Sequence, residues 1–175
     1  CSKVMPPAQC PPPLWPQNPS LANYRQLFEA HGIARQAANS LAVAVAATLL
    51  SLAFNLSAGY AFAKLPFAGR ERLFRALLGA LVIPGQVAMM PLFLLLKQMG
   101  LVNTYAGALV PWLASVFGIF LVRQYAQGIP DDLLEAARID GAGEWRIFTA
   151  IVLPLLKPII VTLGVLVFLG SWNDF

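Results

Sequence analysis

The residues best placed to do chemistry lie between Glu135 and Pro154, in the stretch EAARIDGAGEWRIFTAIVLP. It is a polar interruption between very apolar segments. Glu135 and Asp140 present charge, Ala136 and Ala137 present almost no side chain, and Gly141 follows. That combination suits recognition of another protein surface rather than bond making. Gly128-Ile129-Pro130 breaks whatever precedes it. Asp131 and Asp132 then offer side-chain oxygens to the free N–H groups of a new helix, and their charge suits its positive end. Asp132 and Glu135 have the capping-box spacing. The pattern predicts a short helix over Leu133 to Asp140, closed by Gly141 in the left-handed conformation. A second helix is predicted over Glu144 to Val152, with Trp145, Phe148 and Ile151 at helical spacing and Pro154 ending or kinking it. Two readings stand: an amphipathic hairpin tying two membrane helices together, or a docking element whose small alanines let a partner approach the backbone.

No other constellation competes. There is no GxxxxGK followed by Ser or Thr, so the chain lacks the phosphate-cradling loop needed to hydrolyse ATP itself. No zinc, triad or haem spacing occurs. Cys1 and Cys10 form no CxxC and have no neighbouring His, so neither a metal site nor a cofactor is expected; a disulfide between them and two incidental thiols both remain open. His31, the only histidine, lies before Gly32 in a predicted loop, where a solvated side chain is expected.

Composition fixes the medium. Of 175 residues, 58% are hydrophobic and 11% charged, with a mean hydropathy of +0.68. That is a membrane composition. The net charge is +4, but the basic residues flank apolar segments and form no continuous stripe, which excludes nucleic acid as a partner.

Four apolar segments follow a Pro-rich start, residues 1–35, read as an external looped segment with a short helix near Tyr24, Leu27 and Phe28 capped by Ser20. The first segment is uncharged from Gln36 through Ala63, enough to cross roughly 30 Å of hydrocarbon. Asn55 is its deepest polar residue, read either as an interhelical hydrogen bond or as a group lining a pathway. The second segment, Ala76 to Leu96, contains Pro84, Gly85 and Pro91 and is predicted to be kinked or partly unwound midway, with Gln86 beside the break. The third, Tyr105 to Val122, has Asn103 or Thr104 as its cap. The fourth runs from Pro158 through Gly170 toward Trp172, Asn173 and Asp174. The fold class is therefore an all-α membrane protein, a polytopic helical bundle.

Basic residues give its orientation. Lys64, Arg70, Arg72, Arg75, Arg123, Arg138, Arg146 and Lys157 fall on one side if the helices alternate, against Lys3, Arg25, Arg35 and Lys97 on the other. The polar loop is thus cytoplasmic and the Pro-rich start external.

Glu135-Ala136-Ala137, three residues, Gly141, nine residues, then Ile151, Leu153 and Pro154 together resemble the EAA loop of permease subunits in bacterial ATP-binding cassette (ABC) importers. NYRQLF, AGYAFAKL, IPGQV, GLVNTYAG, LPLLKPI and GSWNDF resemble the maltose-type carbohydrate permeases of that group. The resemblance implies an inner-membrane, multi-pass subunit with a six-helix transmembrane domain, of which residues 36–175 supply four helices and lack the first and last. It implies that Glu135, Ala136, Ala137, Asp140, Gly141, Ile151, Leu153 and Pro154 form a coupling element on a cytoplasmic ABC ATPase dimer. It further implies a second permease subunit, an extracytoplasmic solute-binding protein, a lipid surround and a sugar as cargo. Asn55, Gln86, Asn173 and Asp174 are the candidate path residues. A permease for a glycerol-phosphate or polyol, and an ion-coupled secondary transporter, are the rival readings. The absence of ionisable residues within the complete segments weighs against the second rival.

Overall fold

The computed structural model describes residues 32–174, and no strand occurs among them. The elements in order are α1 (Ile33–Lys64), α2 (Arg70–Ala80), α3 (Gly85–Gln98), α4 (Tyr105–Leu109) running into a 3₁₀ turn (Val110–Trp112), α5 (Val116–Gln127), α6 (Asp131–Ile139), α7 (Glu144–Ile147), a π turn (Phe148–Val152), α8 (Leu153–Leu155) and α9 (Lys157–Asp174). The expectations for Cys1, Cys10, Ser20, Tyr24, Leu27, Phe28 and His31 lie outside the described residues. The chain divides within α1 into two compact units, Cys1–Ala42 and Val43–Phe175. Of the first, the described part is Gly32, at φ +58°, and the opening turns of α1. The packing below is that of the second.

Among the described residues, only α1 is long and apolar enough to cross a membrane as one helix, with 32 residues and a mean hydropathy of 2.0 in its best stretch. Three bent helix pairs are together long and apolar enough for a crossing: α2 with α3 at 103°, α4 and its 3₁₀ turn with α5 at 44°, and the α7–α8 run with α9 at 79°. The kink predicted for the second segment is therefore a full break. It falls at Leu81–Pro84, ahead of the expected midpoint, while Pro91 is carried inside α3. Its backbone is largely satisfied locally: Leu81, Val82 and Ile83 donate to the carbonyls of Leu78, Gly79 and Ala80 at 3.0–3.3 Å, and Pro84 has no N–H to satisfy. Thr104 is the cap of α4, accepting from Gly107 N at 3.1 Å.

Three hydroxyls in the apolar helices bond to their own helix backbone, which satisfies them where water is absent. Thr48 donates to the Ala44 carbonyl at 2.7 Å, Ser57 to Ala53 at 2.5 Å and Thr162 to Pro158 at 2.9 Å.

Small residues decide how the helices meet. Gly118 lies against Asn55 and Gly59 against Val122; a Cβ added to Gly59 would come within 2.5 Å of Val122 Cβ. These pairs, with Arg123 bonded to the Phe62 carbonyl and Lys64 to that of Ile129, advance together along both chains. Hence α1 and α5 run parallel. Gly164 packs near Leu52 and Thr48, so α9 runs from the polar loop back along α1. The core they share holds Leu56, Tyr60, Val122, Ala126, Ile129, Leu134, Ile147, Phe148, Val152, Leu156, Ile159 and Leu163, and it lies at the end carrying the basic loops. Phe62, Phe74 and Ile119 form a second cluster.

Gly59→Ala should therefore force the α1–α5 backbones apart and cost about 1–3 kcal/mol, read as a lower thermal midpoint of the detergent-solubilised chain. Gly79→Ala, facing open space in α2, should be neutral or stabilising by up to about 1 kcal/mol.

Candidate functional site

The polar loop folds as two short arms around Gly141. Pro130 precedes α6 and no side chain caps it. The expected capping by Asp131 and Asp132 is thus corrected: both sit inside the first turn, where their charge still suits the helix end. Asp131 is drawn instead to Lys64, whose Nζ lies 2.6 Å from Asp131 Oδ1 and 2.5 Å from the Ile129 carbonyl. At the other end of α6, Gly141 takes φ +80°. Its N–H donates to Arg138 O and that of Ala142 to Ala137 O, each at 3.0 Å. This is the paired closure a left-handed glycine makes at a helix end, and Ala137 and Ala142 both pack onto the core beneath it.

The second arm begins as predicted at Glu144 but changes pitch. A π turn over Phe148–Val152 leads into Leu153–Leu155, and Pro154 sits inside that last turn rather than ending the arm. The break comes at Leu156, before α9. The arms are tied across the turn: Arg138 Nε donates to Glu144 Oε1 at 2.7 Å, and Tyr60 of α1 donates to Glu144 Oε2 at 3.2 Å.

The eight residues of the EAA-like pattern fall into two sets. Glu135, Ala136, Asp140, Gly141 and Pro154 are exposed, whereas Ala137, Ile151 and Leu153 are half-buried against the core. Of the two alanines, only Ala136 is on the open face. Beside it stand two large apolar side chains, Ile139 at 86% and Trp145 at 74% exposed. The inward set holds the loop down; the outward set is a surface.

Asn55 is fully buried. Its Nδ2 donates to Ser51 Oγ at 2.9 Å and its Oδ1 accepts from Ser115 N at 3.0 Å, tying α1 to the start of α5. It also lines a cavity of about 320 Å³ with Ser51, Trp112, Ser115 and Leu163. Gln86 is exposed in the first turn of α3, and Asn173 and Asp174 are exposed at the end of α9. Among the described residues, no hydrogen bond joins these four to one another.

Sequence reasoning did not single out Tyr60, Lys64, Glu71, Arg123 and Glu144, whose side chains tie separate elements together. Arg123 is buried; it donates to the Phe62 carbonyl at 3.2 Å and to Glu71 Oε1 at 2.6 Å, with its guanidinium carbon 3.9 Å from the Phe74 ring centre. The charge count had already placed Lys64 and Arg123 on the polar loop's side. Nothing in their spacing named their partners.

The fold is shared with a bacterial ABC transporter: it superposes on a chain from the crystal structure of a bacterial ABC transporter involved in the import of the acidic polysaccharide alginate, with a TM-score of 0.70 at 24% identity over 90% of this chain and 56% of that one. Residues 55–175 match the binding-protein-dependent transport system inner membrane component family, and the chain belongs to that family. It is 42% identical to the arabinooligosaccharides transport system permease protein AraQ of Halalkalibacterium halodurans over 78% of this chain and 49% of that protein. It is 39% identical to the osmoprotective compounds uptake permease protein GgtD of Synechocystis over 88% of this chain and 52% of that protein. It is 39% identical to the alpha-glucoside transport system permease protein AglG of Rhizobium meliloti over 89% of this chain and 43% of that protein. The chain spans about half the length of the curated relatives it matches.

The loop's ion pairs have a defined pH dependence. The Arg138 hydrogen bond holds the Glu144 carboxyl below its ordinary value, against partial burial, and Glu144 in turn raises Arg138. The Lys64 hydrogen bond and charge lower Asp131. A depressed carboxylate stabilises fully above its ordinary range and loses that contribution as pH falls through the lowered value. The loop should therefore be fully tied at neutral pH and loosen below about pH 4. Trp145 fluorescence should report this, and the step due to Glu144 should be missing in Glu144→Gln. The cost of that substitution at neutral pH should stay under about 1 kcal/mol, because the pair is half-exposed.

Proposed function

We propose that this chain is the membrane-spanning permease subunit of an ATP-driven importer for a sugar or oligosaccharide, worked by alternating access. Two copies of a separate cytoplasmic ABC ATPase hydrolyse ATP. A second, related permease subunit and an extracytoplasmic solute-binding protein complete the assembly. The observation that carries the reading is the exposed face of the polar loop, Glu135, Ala136, Ile139, Asp140 and Trp145, on a loop clamped from beneath to the membrane helices. Ala136 admits close approach, Ile139 and Trp145 offer apolar surface to a groove, and Glu135 and Asp140 supply charge at its edges. Gly141, Ala137, Ile151, Leu153 and Pro154 keep the two arms in fixed relation. Closure of the ATPase pair then displaces the loop as one piece and rocks the helices between inward-open and outward-open.

A sugar cargo is supported by the names of relatives that transport arabinooligosaccharides and alpha-glucosides. A glycerol-phosphate cargo has one supporting observation: 36% identity to the sn-glycerol-3-phosphate transport system permease protein UgpE of Yersinia pestis. Asn55, Gln86, Asn173 and Asp174 remain the candidate path residues, and Asn55 faces a cavity.

The test is uptake by proteoliposomes holding the assembled complex, with candidate sugars and glycerol-3-phosphate supplied through the binding protein. Uptake should require ATP and survive collapse of ion gradients. Gly141→Pro demands φ near −65° where the loop needs a positive value and should lower uptake at least tenfold while ATP hydrolysis persists. Normal uptake by that variant would overturn the docking role of the loop.

A further inference from the structure

The last two turns of α1 grip both arms of the polar loop. Lys64 takes the first arm: its side chain is only 6% exposed, and its ammonium bonds to the Ile129 carbonyl and to Asp131. Tyr60, one turn earlier, takes the second arm through Glu144, with its ring 5.2 Å from that of Phe148. Arg138 closes the circuit by bonding Glu144 from the first arm. Five side chains, Lys64, Asp131, Arg138, Glu144 and Tyr60, thus link α1, α6 and α7 in a circuit that the backbones of α1 and α6 complete.

The placement of Lys64 matters mechanically. Between the end of α5 at Gln127 and the start of α6 at Asp131 the chain is not helical, so movement of α6 reaches α5 through a few backbone bonds. It reaches α1 only through space. Lys64 crosses that space at the junction itself, and the carbonyl it engages belongs to Ile129, a buried residue. Without Lys64 that carbonyl loses a charged donor in a place where water is scarce. Arg123 makes the reciprocal bond, from α5 to the α1 carbonyl of Phe62, so the two parallel helices are cross-tied by one cation each.

We propose that Lys64 and Tyr60 are positioning residues for transport: they make α1 move with the polar loop, so that loop displacement opens and closes the membrane path instead of being taken up by bending at Gly128–Pro130. This rests on the importer reading above, because it needs a loop that is pushed. Neither residue touches ATP or cargo. Their loss should therefore separate the two activities of the complex rather than lower both.

The experiment measures sugar uptake and ATP hydrolysis on the same proteoliposomes of the full complex, for the unaltered chain, Lys64→Met, Tyr60→Phe, the double variant and Lys64→Arg. Sugar taken up per ATP hydrolysed should fall about fivefold or more in Lys64→Met, further in the double variant, and about twofold in Tyr60→Phe, which keeps the ring against Phe148. Lys64→Arg, which restores a cation able to reach a carbonyl and a carboxylate, should recover most of the ratio. An unchanged ratio in the double variant overturns the proposal, as does an equal fall of uptake and hydrolysis in every variant, which would mark a purely structural tie. If Lys64→Met does not assemble, Tyr60→Phe decides: a lowered ratio supports the clamp and an unchanged one overturns it. Absence of ATP-driven uptake by the unaltered chain would overturn the importer reading and the clamp with it; loss confined to the variants' ratio cannot arise that way.

Discussion

The structure depends on how closely α1 and α5 approach. Gly59 under Val122 and Gly118 under Asn55 leave no room for even a methyl group, so the two helices lie nearly backbone to backbone. In an apolar medium there is little hydrophobic gain from pairing helices, and close packing with a few hydrogen bonds must hold them. That approach fixes their parallel register. Once it is fixed, Asn55 reaches the first N–H of the α5 start, Arg123 reaches the Phe62 carbonyl, and Lys64 reaches past the end of α5 to Ile129.

The same register explains why the polar groups concentrate at one end. Within the apolar stretches, the hydroxyls of Thr48, Ser57 and Thr162 return to their own helix backbone. At the basic end, cations are instead divided between carbonyls and carboxylates of different elements: Lys64 between Ile129 and Asp131, Arg123 between Phe62 and Glu71. A cation there satisfies backbone that helix breaks have freed and joins elements distant in sequence. Free-standing helices of nine and four residues such as α6 and α7 would not persist in water. They hold because Leu134, Ile147, Phe148 and Val152 sink into the core while Glu144 is bonded from both sides.

Much of the loop was legible locally. Gly128-Ile129-Pro130 stops one helix, Gly141 stops the next, and both effects are steric properties of single residues. The spacing of Trp145, Phe148 and Ile151 gave the second arm but not its inner face: Phe148 is buried, Ile151 half-buried and Trp145 open. A π turn shifts the helical phase there, and no periodicity rule anticipates that. Asp131 reads as a cap from sequence because a capping oxygen and an ion-pairing oxygen are the same chemical group. Only the presence of Lys64 at 2.6 Å chooses between them. The break at Leu81–Pro84 was visible as proline and glycine; its angle was not, since the same residues permit a shallow kink or a sharp turn.

The sequence by itself determined the medium and the places where helices must break, because hydropathy and backbone sterics each act over a few residues and add along the chain. The tertiary structure alone decided which residues of the Glu135–Pro154 pattern face outward, that Asn55 is held by Ser51 and Ser115, and that Lys64 and Tyr60 grip the loop. Those outcomes hang on a helix–helix register set by contacts between residues far apart in the chain. A register is a property of two surfaces meeting, and neither surface states it alone.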